Sequence, residues 1–460
     1  MSSSALSVFD GPVVVVGAGV AGLVSAHLLA EAGAEVIVVE KLPEVGGLAR
    51  SFVYGDFVFD CGPHRFDTTN PNVKSYLSRV LRREGTNFPR RSEVYFKGKY
   101  YDWPIKPQNL VQLPVDIAGR AFVDLAVNGS RQYGDDNFEN YILRQYGPTL
   151  YQHFFEGYSV KFLGIHPRET HSDWAKVGIN RAIIDDKAEM QNLSQLLKST
   201  LLQVNKKAQH FLYPTGGMQE AWVDVSAALE AKGGRIVTGV GARLHGANGR
   251  IVEVEFGQER VRPAAVIWTA PITLACEQLG LERPALDYLG LLLYNVMVEE
   301  ECPREYQWCY YGARDLLINR VSTPRFFSTE TAPAGTTGYC CEVTCRVGDQ
   351  RWAHAERLTD WVVDDLVKVG LIRDRKRIID VRVERVADSY PIYRNDYPRE
   401  LEKARGQLAR FSNLRLAGRT GLFWYNNMDH SMENAMQLVK RLLRESGRAD
   451  ADESALARGA

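Results

Sequence analysis

Three glycines near the N-terminus have a spacing that suits a bound diphosphate. Gly17, Gly19 and Gly22 stand as G-x-G-x-x-G directly after the apolar run "VVVV". In such a turn the first glycine allows a tight bend, the second lets a pyrophosphate approach the backbone, and the third lets the next helix pack closely on the strand. Free N–H groups and the positive helix end then face the phosphates. Glu40 ends the next apolar run, where an acid can accept bonds from both hydroxyls of an adenosine ribose.

The residues that follow Glu40 separate the candidate dinucleotides. An acid at this place favours a ribose without a 2′-phosphate. Gly46, Gly47 and Arg50 in "KLPEVGGLARS" extend the signature in the manner of FAD proteins, in which they line the pyrophosphate and ribityl portion. The segments "YPTGGMQEAW" and "GGRIVTGVGARL" are similar to the second segment of those proteins, whose backbone lies beside the adenine, here near Val240. The ordered series predicts FAD, although the glycines of "YPTGGMQEAW" alone could form a plain turn.

A second group of reactive residue types lies near the C-terminus, in "AGRTGLFWYNNMDHSMENAMQLVKRLL" at 417–443. An arginine, Arg419, is followed by three aromatic residues and then by Met428 and Asp429 at the start of an amphipathic helix. An ordinary connecting loop needs none of these. Asp429 is predicted to cap the helix, because aspartate accepts hydrogen bonds well at that position.

The elements that must position these residues follow an α/β pattern. Residues 13–40 read as strand, glycine turn, helix and strand, which is one βαβ unit of a Rossmann-type domain. Helical spacing dominates 105–205, and strand-like runs dominate 290–390, with one helix between them. We predict an FAD-binding domain from 11–80, 206–272 and 412–445, an inserted helical domain at 105–205, and an antiparallel β-sheet substrate domain from 81–104 and 273–411. The tail 446–460 has no apolar stripe and is predicted to be disordered.

Bulk composition excludes several classes of protein. The 460 residues carry 56 basic and 56 acidic side chains, so no overall field attracts nucleic acid or an acidic membrane. Seven cysteines show no paired metal-ligand spacing, which predicts no metal site and free thiols in a reducing cytoplasm. We find no signal peptide and no run near the about 20 apolar residues that span a bilayer. A cytoplasmic enzyme with a small-molecule substrate is expected, and a homodimer is compatible with the sequence.

Two stretches indicate a family. "FDCGPHRFDTTNPNV" (59–73) and "GRTGLFWYNNMD" (418–429) resemble UDP-galactopyranose mutase and its protoporphyrinogen oxidase-like relatives in the amine oxidase superfamily. The mutase patterns read roughly Y-G-P-H-x-F-H-T and G-R-x-x-x-Y-x-Y-x-D-M-D. The resemblance continues in order through "KGKYYDWPIKPQNL", "FFEGYSVKFLG", "NRVSTPRFF" and "DSYPIYR", over about 11 to 445.

The resemblance implies an unusual use of FAD. In the mutases the reduced flavin is not consumed, and its N5 attacks the anomeric carbon of a nucleotide sugar. The nucleoside diphosphate leaves, the sugar opens on the N5 adduct, and it recloses with a different ring size before it recaptures the diphosphate. Such chemistry needs a clamp for the leaving diphosphate and no side-chain nucleophile.

The resemblance also assigns roles to residues. Arg419 aligns with the diphosphate arginine, whose planar fork can bond two oxygens at once. Hydroxyl donors to the same group are Tyr158, Tyr390 and Tyr425, and Arg320 aligns with a further active-site arginine. His64 aligns with the first histidine of the flavin-side loop, while Gly418, Met428 and Asp429 belong to the flavin-contacting segment. The catalytic candidates are therefore His64, Tyr390, Arg419 and Tyr425.

Each of these residues also has a simpler explanation. Arg419 could be an ordinary ion-paired arginine, and Tyr158 and Tyr390 could be core residues. Tyr425 could pack on its aromatic neighbours, and His64 could be a buried histidine with satisfied hydrogen bonds.

Three positions depart from the family pattern. The second histidine of the first motif is Asp67, the tryptophan expected after Tyr158 to stack on uracil is Leu163, and the first tyrosine after Gly-Arg is Phe423. The clamp is retained while the base reader is changed. The resemblance therefore points to a nucleotide- or lipid-diphosphate-linked sugar other than UDP-galactose.

Two other functions keep the FAD features. The first is a redox flavoenzyme, that is an oxidase, dehydrogenase or desaturase of the protoporphyrinogen oxidase or amine oxidase type. The second is a non-catalytic FAD-binding protein. Arg419 favours the mutase-like isomerase, because oxidases of this superfamily usually carry an acid after that glycine, whereas the lost tryptophan favours the oxidoreductase.

Overall fold

The computed structural model describes residues 8–83, 85–103, 112–127, 133–176 and 210–447. The strands are β1 (Val13–Val16), β2 (Val36–Val39), β3 (Ser51–Tyr54), β4 (Phe57–Asp60), β5 (Gly85–Pro89), β6 (Ser92–Phe96), β7 (Lys99–Asp102), β8 (His210–Pro214), β9 (Arg235–Val237), β10 (Ala242–Ala247), β11 (Arg250–Phe256), β12 (Glu259–Val261), β13 (Ala265–Trp268), β14 (Tyr288–Val298), β15 (Trp308–Tyr311), β16 (Arg320–Ser322), β17 (Thr337–Cys345), β18 (Ile378–Pro391) and β19 (Leu414–Leu416).

The α-helices of the same residues are α1 (Val20–Glu31), α2 (Pro71–Val80), α3 (Val115–Val127), α4 (Phe138–Leu150), α5 (Gly157–Leu163), α6 (Gln219–Ala231), α7 (Ile272–Gln278), α8 (Gln350–Ala353), α9 (Thr359–Lys368), α10 (Tyr397–Leu408), α11 (Gly418–Gly421) and α12 (Met428–Glu445). A π-helical turn, Tyr151–Glu156, joins α4 to α5.

A five-stranded parallel sheet forms the first layer, in the order β19-β13-β1-β2-β9. All four valines of β1 are buried, which agrees with an apolar run covered on both faces. Helices α6 and α12 pack against α1. The α/β fold class with a Rossmann-type domain is confirmed. The sheet takes its strands from all three segments assigned to the FAD domain, although the division into domains itself stays a prediction.

A seven-stranded sheet forms the second layer, in the order β18-β14-β17-β16-β15-β6-β7. Adjacent strands of this sheet run antiparallel, except that β15 and β6 run parallel to each other. Every residue of β14 and β17 is buried, because α9 and the residues around it cover one face of this sheet. The other face meets β4 and α5.

The structure differs from the sequence-based expectations at two places. The helix expected between the strands of 290–390 is divided into α8, a 3-10 turn at Ala355–Leu358, and α9. The prediction that Asp429 caps the last helix is wrong, because Asn427 occupies the N-cap and Asp429 lies in the first turn. An acidic side chain in the first turn still interacts favourably with the positive end of the helix dipole.

Some predictions fall on residues that the structure does not describe. The helical domain was predicted at 105–205, of which 105–111, 128–132 and 177–205 lie outside the described residues. The same holds for 448–460 of the predicted tail. In the described part of the chain, no helix is both long and apolar enough to cross a membrane.

Candidate functional site

Two of the three glycines in the turn after β1, Gly17 and Gly22, have no room for a side chain. Gly17 has a φ of 102°, and a Cβ on Gly22 would stand 1.9 Å from the carbonyl oxygen of Gly17. The turn therefore needs glycine both for its backbone conformation and for the contact between strand and helix. This contact places the N-terminus of α1 directly behind the turn.

Glu40 joins this turn to the end of β2. Its carboxylate accepts hydrogen bonds from the N–H groups of Ala18 at 2.7 Å and Leu42 at 2.9 Å. Glu40 is 6% exposed, yet it lines the cavity beside the turn. A carboxylate has about four lone-pair sites, so Glu40 retains acceptor capacity for a ligand.

A cavity of about 480 Å³ opens at the C-terminal ends of the parallel strands. We call it the cofactor cavity. Seven of the predicted cofactor residues line it: Gly17, Gly19, Glu40, Gly47, Arg50, Gly418 and Met428. Apart from Asp429, the other predicted cofactor residues do not line the cavity but support the residues that do. Gly22 packs α1 on β1, the N–H of Gly46 donates to the carbonyl of Ala18 at 2.8 Å, and that of Val240 donates to the carbonyl of Glu40 at 3.1 Å.

A smaller cavity of about 120 Å³, which we call the arginine chamber, adjoins the cofactor cavity. His64, Arg419 and Met428 line both spaces. The chamber brings together most of the predicted substrate and catalytic residues, namely His64, Arg320, Tyr390, Arg419 and Tyr425, and it also contains Asp429. Their roles stay predictions, but in the fold they all line the same cavity.

Arg419 is held by backbone carbonyls. Its guanidinium donates to the carbonyl oxygen of Ser389 at 3.3 Å and to that of Asn426 at 2.5 Å. The guanidinium carbon lies 5.8 Å from the ring centre of Tyr390 and 5.1 Å from that of Tyr425. Among the described residues, no carboxylate forms an ion pair with it. Its positive charge is therefore available to an anion in the chamber.

Arg320 differs from Arg419 because it is already neutralised. It makes two hydrogen bonds, of 2.6 and 2.7 Å, to the carboxylate of Glu342, which is fully buried. It also donates to the Tyr390 hydroxyl at 3.1 Å. Arg320 is therefore suited to positioning Tyr390, and burial raises the pKa of Tyr390, so its hydroxyl keeps its proton at neutral pH.

His64 stands between the cofactor cavity and the chamber. Burial, together with the charges of Arg419 and Arg320, lowers the pKa of His64 to about 3. Its Nδ1 is buried and has no hydrogen-bond partner. The ring is therefore neutral at physiological pH, with one nitrogen able to donate and the other able to accept.

A third space of about 340 Å³, the aromatic cavity, continues from the chamber through their shared residues Tyr310, Arg320 and Tyr425. Tyr158 lines this cavity rather than the chamber. Leu163 is fully buried and lies outside the cavity lining. The ring that stacks on Tyr425 is Trp174, at 5.1 Å between centres and 18° between planes.

Several residues that line these cavities were not predicted from the sequence. Trp174 belongs to no motif that was recognised. Arg65 occupies the variable position of the quoted stretch "GPHRFD", and Arg90 and Trp308 come from β-strand ends elsewhere in the chain. Arg65 could have been noticed, because it adds a cation to a motif that already contains His64.

Comparison with known proteins agrees with this architecture. A family model described as an NAD(P)-binding Rossmann-like domain matches residues 15–80. The fold as a whole is that of UDP-galactopyranose mutase: the reduced form of that enzyme superposes with a TM-score of 0.81 at 19% identity, over 98% of both chains. A structure described as "Putative protoporphyrinogen oxidase" from Exiguobacterium sp. 255-15 gives a TM-score of 0.74 at 16% identity, over 95% of this chain and 99% of that one.

Sequence relatives include both mutases and oxidases. A probable UDP-galactopyranose mutase of Klebsiella pneumoniae is 30% identical over 168 residues, which are 34% of this chain and 42% of that protein. A dTDP-fucopyranose mutase of Escherichia coli is 30% identical, over 34% of this chain and 43% of that protein. An L-amino-acid oxidase of Crotalus adamanteus is 29% identical, over 29% of each. The chain thus matches less than half the length of these relatives, and the resemblance stated from the motifs is confirmed.

Proposed function

We propose that the chain is an FAD-dependent enzyme that interconverts the pyranose and furanose forms of a diphosphate-linked sugar. The observation that carries the proposal is Arg419. It faces both the cofactor cavity and the chamber, has no carboxylate partner among the described residues, and lies beside two tyrosines. A cation held this way suits a diphosphate that must be bound next to the cofactor.

The residues present fit FAD. The glycine turn and Glu40 would hold the diphosphate and the adenosine ribose, and Arg50 lies farther along the same cavity. His64 and Met428 also line this cavity, where the flavin half of the cofactor would lie. When bound and reduced, a flavin supplies the nucleophilic nitrogen that ring interconversion requires.

The protein side chains would stabilise the leaving diphosphate. Arg419 can donate two parallel hydrogen bonds to phosphate oxygens, and the hydroxyls of Tyr390 and Tyr425 can donate further ones. Burial raises the pKa of both tyrosines, so they remain donors throughout the neutral range. Neutral His64 is placed to hydrogen-bond a sugar hydroxyl on the cofactor side of the chamber.

The aromatic cavity would take the group on the other end of the diphosphate. Trp174 and Tyr425 offer flat rings for a base, and the apolar walls would equally accept the first units of a lipid chain. The substrate is therefore a nucleotide- or lipid-diphosphate-linked sugar. UDP-galactose is not favoured, because Leu163 replaces the tryptophan that the family pattern leads us to expect.

A second candidate is an FAD-dependent oxidoreductase. It is supported by the similarity to L-amino-acid oxidases and by the change at Leu163. An oxidase would use the same cofactor cavity but would need no unpaired arginine beside it. We therefore favour the mutase-like isomerase.

We also propose a cytoplasmic location. All seven cysteines are free in the structure, which is compatible with a reducing compartment. The expected partner is the small-molecule substrate, and a homodimer stays a prediction.

Turnover with oxidised and reduced flavin tests the proposal. The purified protein is checked for flavin absorbance and then incubated with candidate nucleotide sugars, with and without dithionite. Ring interconversion that occurs only with dithionite supports the mutase-like function. Oxygen consumption, or flavin reduction by a substrate, would show the oxidoreductase instead.

A further inference from the structure

Strand β18 has a bulge where it passes from the cofactor cavity to the arginine chamber. In the register of β14 and β18, residues 387–389 of β18 stand opposite the single residue Gly290 of β14. Asp388 lines the cofactor cavity, whereas Ser389 and Tyr390 line the chamber. Bulges of this kind redirect side chains and are over-represented beside active sites.

Asp388, in the middle of this bulge, has a backbone conformation that is unusual for a residue other than glycine. Its φ is 52°, in the left-handed region. Aspartate and asparagine enter this region more readily than other side chains do, whereas a β-branched residue is an outlier there. Such conformations persist only where the surrounding structure holds them, and they cluster at functional sites.

The next residue, Ser389, links the bulge to the proposed diphosphate arginine. Its hydroxyl donates to the carbonyl oxygen of Val386 at 2.9 Å, a bond that spans the bulge. Its own carbonyl oxygen accepts from Nη1 of Arg419 at 3.3 Å. Because Asp388 directly precedes Ser389, the φ and ψ of Asp388 set the direction in which the chain reaches this carbonyl.

Tyr390 depends on the same direction of the chain. Its hydroxyl accepts a hydrogen bond from Arg320 at 3.1 Å, and its ring centre lies 5.8 Å from the guanidinium carbon of Arg419. Successive side chains of a regular strand point to opposite faces of the sheet, so a change in the bulge would redirect Tyr390. The bulge therefore governs both a carbonyl that holds Arg419 and a ring beside it.

We propose that Asp388 is a positioning residue for the diphosphate clamp. Its left-handed backbone keeps the bulge in the form that presents the Ser389 carbonyl to Arg419 and the Tyr390 ring to the chamber. The backbone conformation does this, and the carboxylate of Asp388 takes no part. This inference rests on the proposed function and deepens it, because it names a residue that orients the clamp without touching the diphosphate.

Substitutions that differ in their tolerance of a left-handed backbone test this role. Asp388→Gly and Asp388→Asn keep the conformation accessible, whereas the branched side chain of Asp388→Val opposes it. Titration calorimetry measures the affinity of the flavin-loaded protein for UDP and for inorganic pyrophosphate, which has neither base nor ribose. We expect Asp388→Val to weaken the binding of both ligands by about two- to tenfold, as for the loss of one hydrogen bond, and the other two variants to keep the parent affinities.

Two further comparisons show whether the valine acts through Arg419. Asn248→Val is the matched control, because Asn248 has a φ of 50° in the exposed turn between β10 and β11. It should lower the thermal unfolding midpoint but leave flavin content and ligand affinity unchanged. In an Arg419→Ala background, Asp388→Val should cause a smaller loss of affinity than in the parent protein, because effects that share one interaction do not add.

Several results would overturn the positioning role and leave the clamp intact. They are unchanged affinity in Asp388→Val, an equal loss in Asp388→Asn, and an equal loss with and without Arg419. If Asp388→Val loses its flavin, Asp388→Ala decides, because alanine has a Cβ without a branch: weaker binding supports the role, and parent affinity overturns it. Failure of the parent protein to bind either ligand would instead contradict the clamp and the proposed function.

Discussion

Arg419 is oriented by backbone carbonyls, and this decides what it can do. Neutral acceptors fix the guanidinium without cancelling its charge, whereas the carboxylate of Glu342 both fixes and cancels that of Arg320. The two arginines look equivalent in the sequence. Only their partners show that Arg419 keeps an uncancelled charge while Arg320 does not.

Replacement of Arg419 should therefore affect the diphosphate and not the cofactor. We expect Arg419→Ala to weaken nucleoside diphosphate binding by about 10- to 100-fold, as for the loss of charge-assisted hydrogen bonds of about 1.5–3 kcal/mol. The flavin-to-protein ratio should stay that of the parent protein. Titration calorimetry with UDP measures the first quantity, and absorbance the second.

The matched control for this variant is Arg415→Ala. Arg415 lies four residues earlier and pairs with Glu445 at the surface. It should leave both quantities unchanged. Full UDP affinity in Arg419→Ala would argue against the clamp.

His64 should make stability depend on pH. Its pKa is about 3 in the folded state, whereas an unfolded histidine has a pKa near 6.5. The unfolded chain therefore binds an extra proton between these values, and the stability contributed by neutral His64 is present above pH 6.5 and is lost as the pH falls. The loss is at most about 1.4 kcal/mol per pH unit.

Comparison with His64→Gln isolates this contribution, since the other titrating groups are shared. We expect the thermal unfolding midpoint of the parent protein to fall more than that of the variant between pH 7 and pH 5. If the unfolding midpoints of the two proteins fall by the same amount over this range, the pKa of His64 is not lowered by folding.

Among the secondary-structure elements, the packing of α1 on β1 leaves no room for a side chain at Gly22. A methyl group on Gly22 would overlap the Gly17 carbonyl, so α1 would have to move away from the sheet. We expect Gly22→Ala to lose most of its flavin and to unfold at a lower temperature, by calorimetry and absorbance.

Gly406→Ala is the matched control. Gly406 lies within α10, and a Cβ there would meet no atom within 4 Å. Alanine is favoured over glycine inside a helix by about 1 kcal/mol. The control should therefore be as stable as the parent protein or slightly more so, with normal flavin content.

The start of α12 shows why element boundaries are hard to assign from a sequence. Asn427 and Asp429 are both good capping residues, and the pattern favoured Asp429. In the structure Asn427 has the extended backbone of a cap, with φ −89° and ψ 170°, and makes no side-chain cap hydrogen bond. The turn through residues 422–427, and not the residue type, decides where the helix begins.

At the scale of the whole molecule, the three cavities form a series that no single segment builds. The cofactor cavity is lined by the turn after β1, by β18 and by the start of α12, which are far apart in the chain. A bound cofactor should therefore couple these segments. At a free concentration 100 times its dissociation constant, a ligand stabilises the folded state by about 2.7 kcal/mol.

Removal of the flavin should reduce the protection of backbone amides only in the segments around the cofactor cavity. We expect amide hydrogen exchange to speed up in the segment 418–431, which contributes seven residues to the lining of the cofactor cavity, while α9 on the far face of the seven-stranded sheet keeps its protection. Uniform loss of protection, or none, would show that the cavity does not hold the cofactor in this way.

Residue types and their spacing were enough to predict the local structure of this protein. The glycine spacing, Glu40 and the four-valine strand predicted the βαβ unit, because a tight turn and a buried parallel strand each permit few residue types. The motifs around His64 and Arg419 predicted which two stretches border the chamber. All of this information lies within short segments.

Which distant residues come into contact became known only from the folded structure. The pairing of Arg320 with Glu342, the stacking of Trp174 on Tyr425, and the placement of Arg65 and Arg90 around Trp308 join residues that are distant in the chain. Leu163, which replaces the expected stacking tryptophan, is simply buried. Such contacts depend on how sheets and helices pack, so a single sequence could indicate a diphosphate clamp but not the charges that surround it.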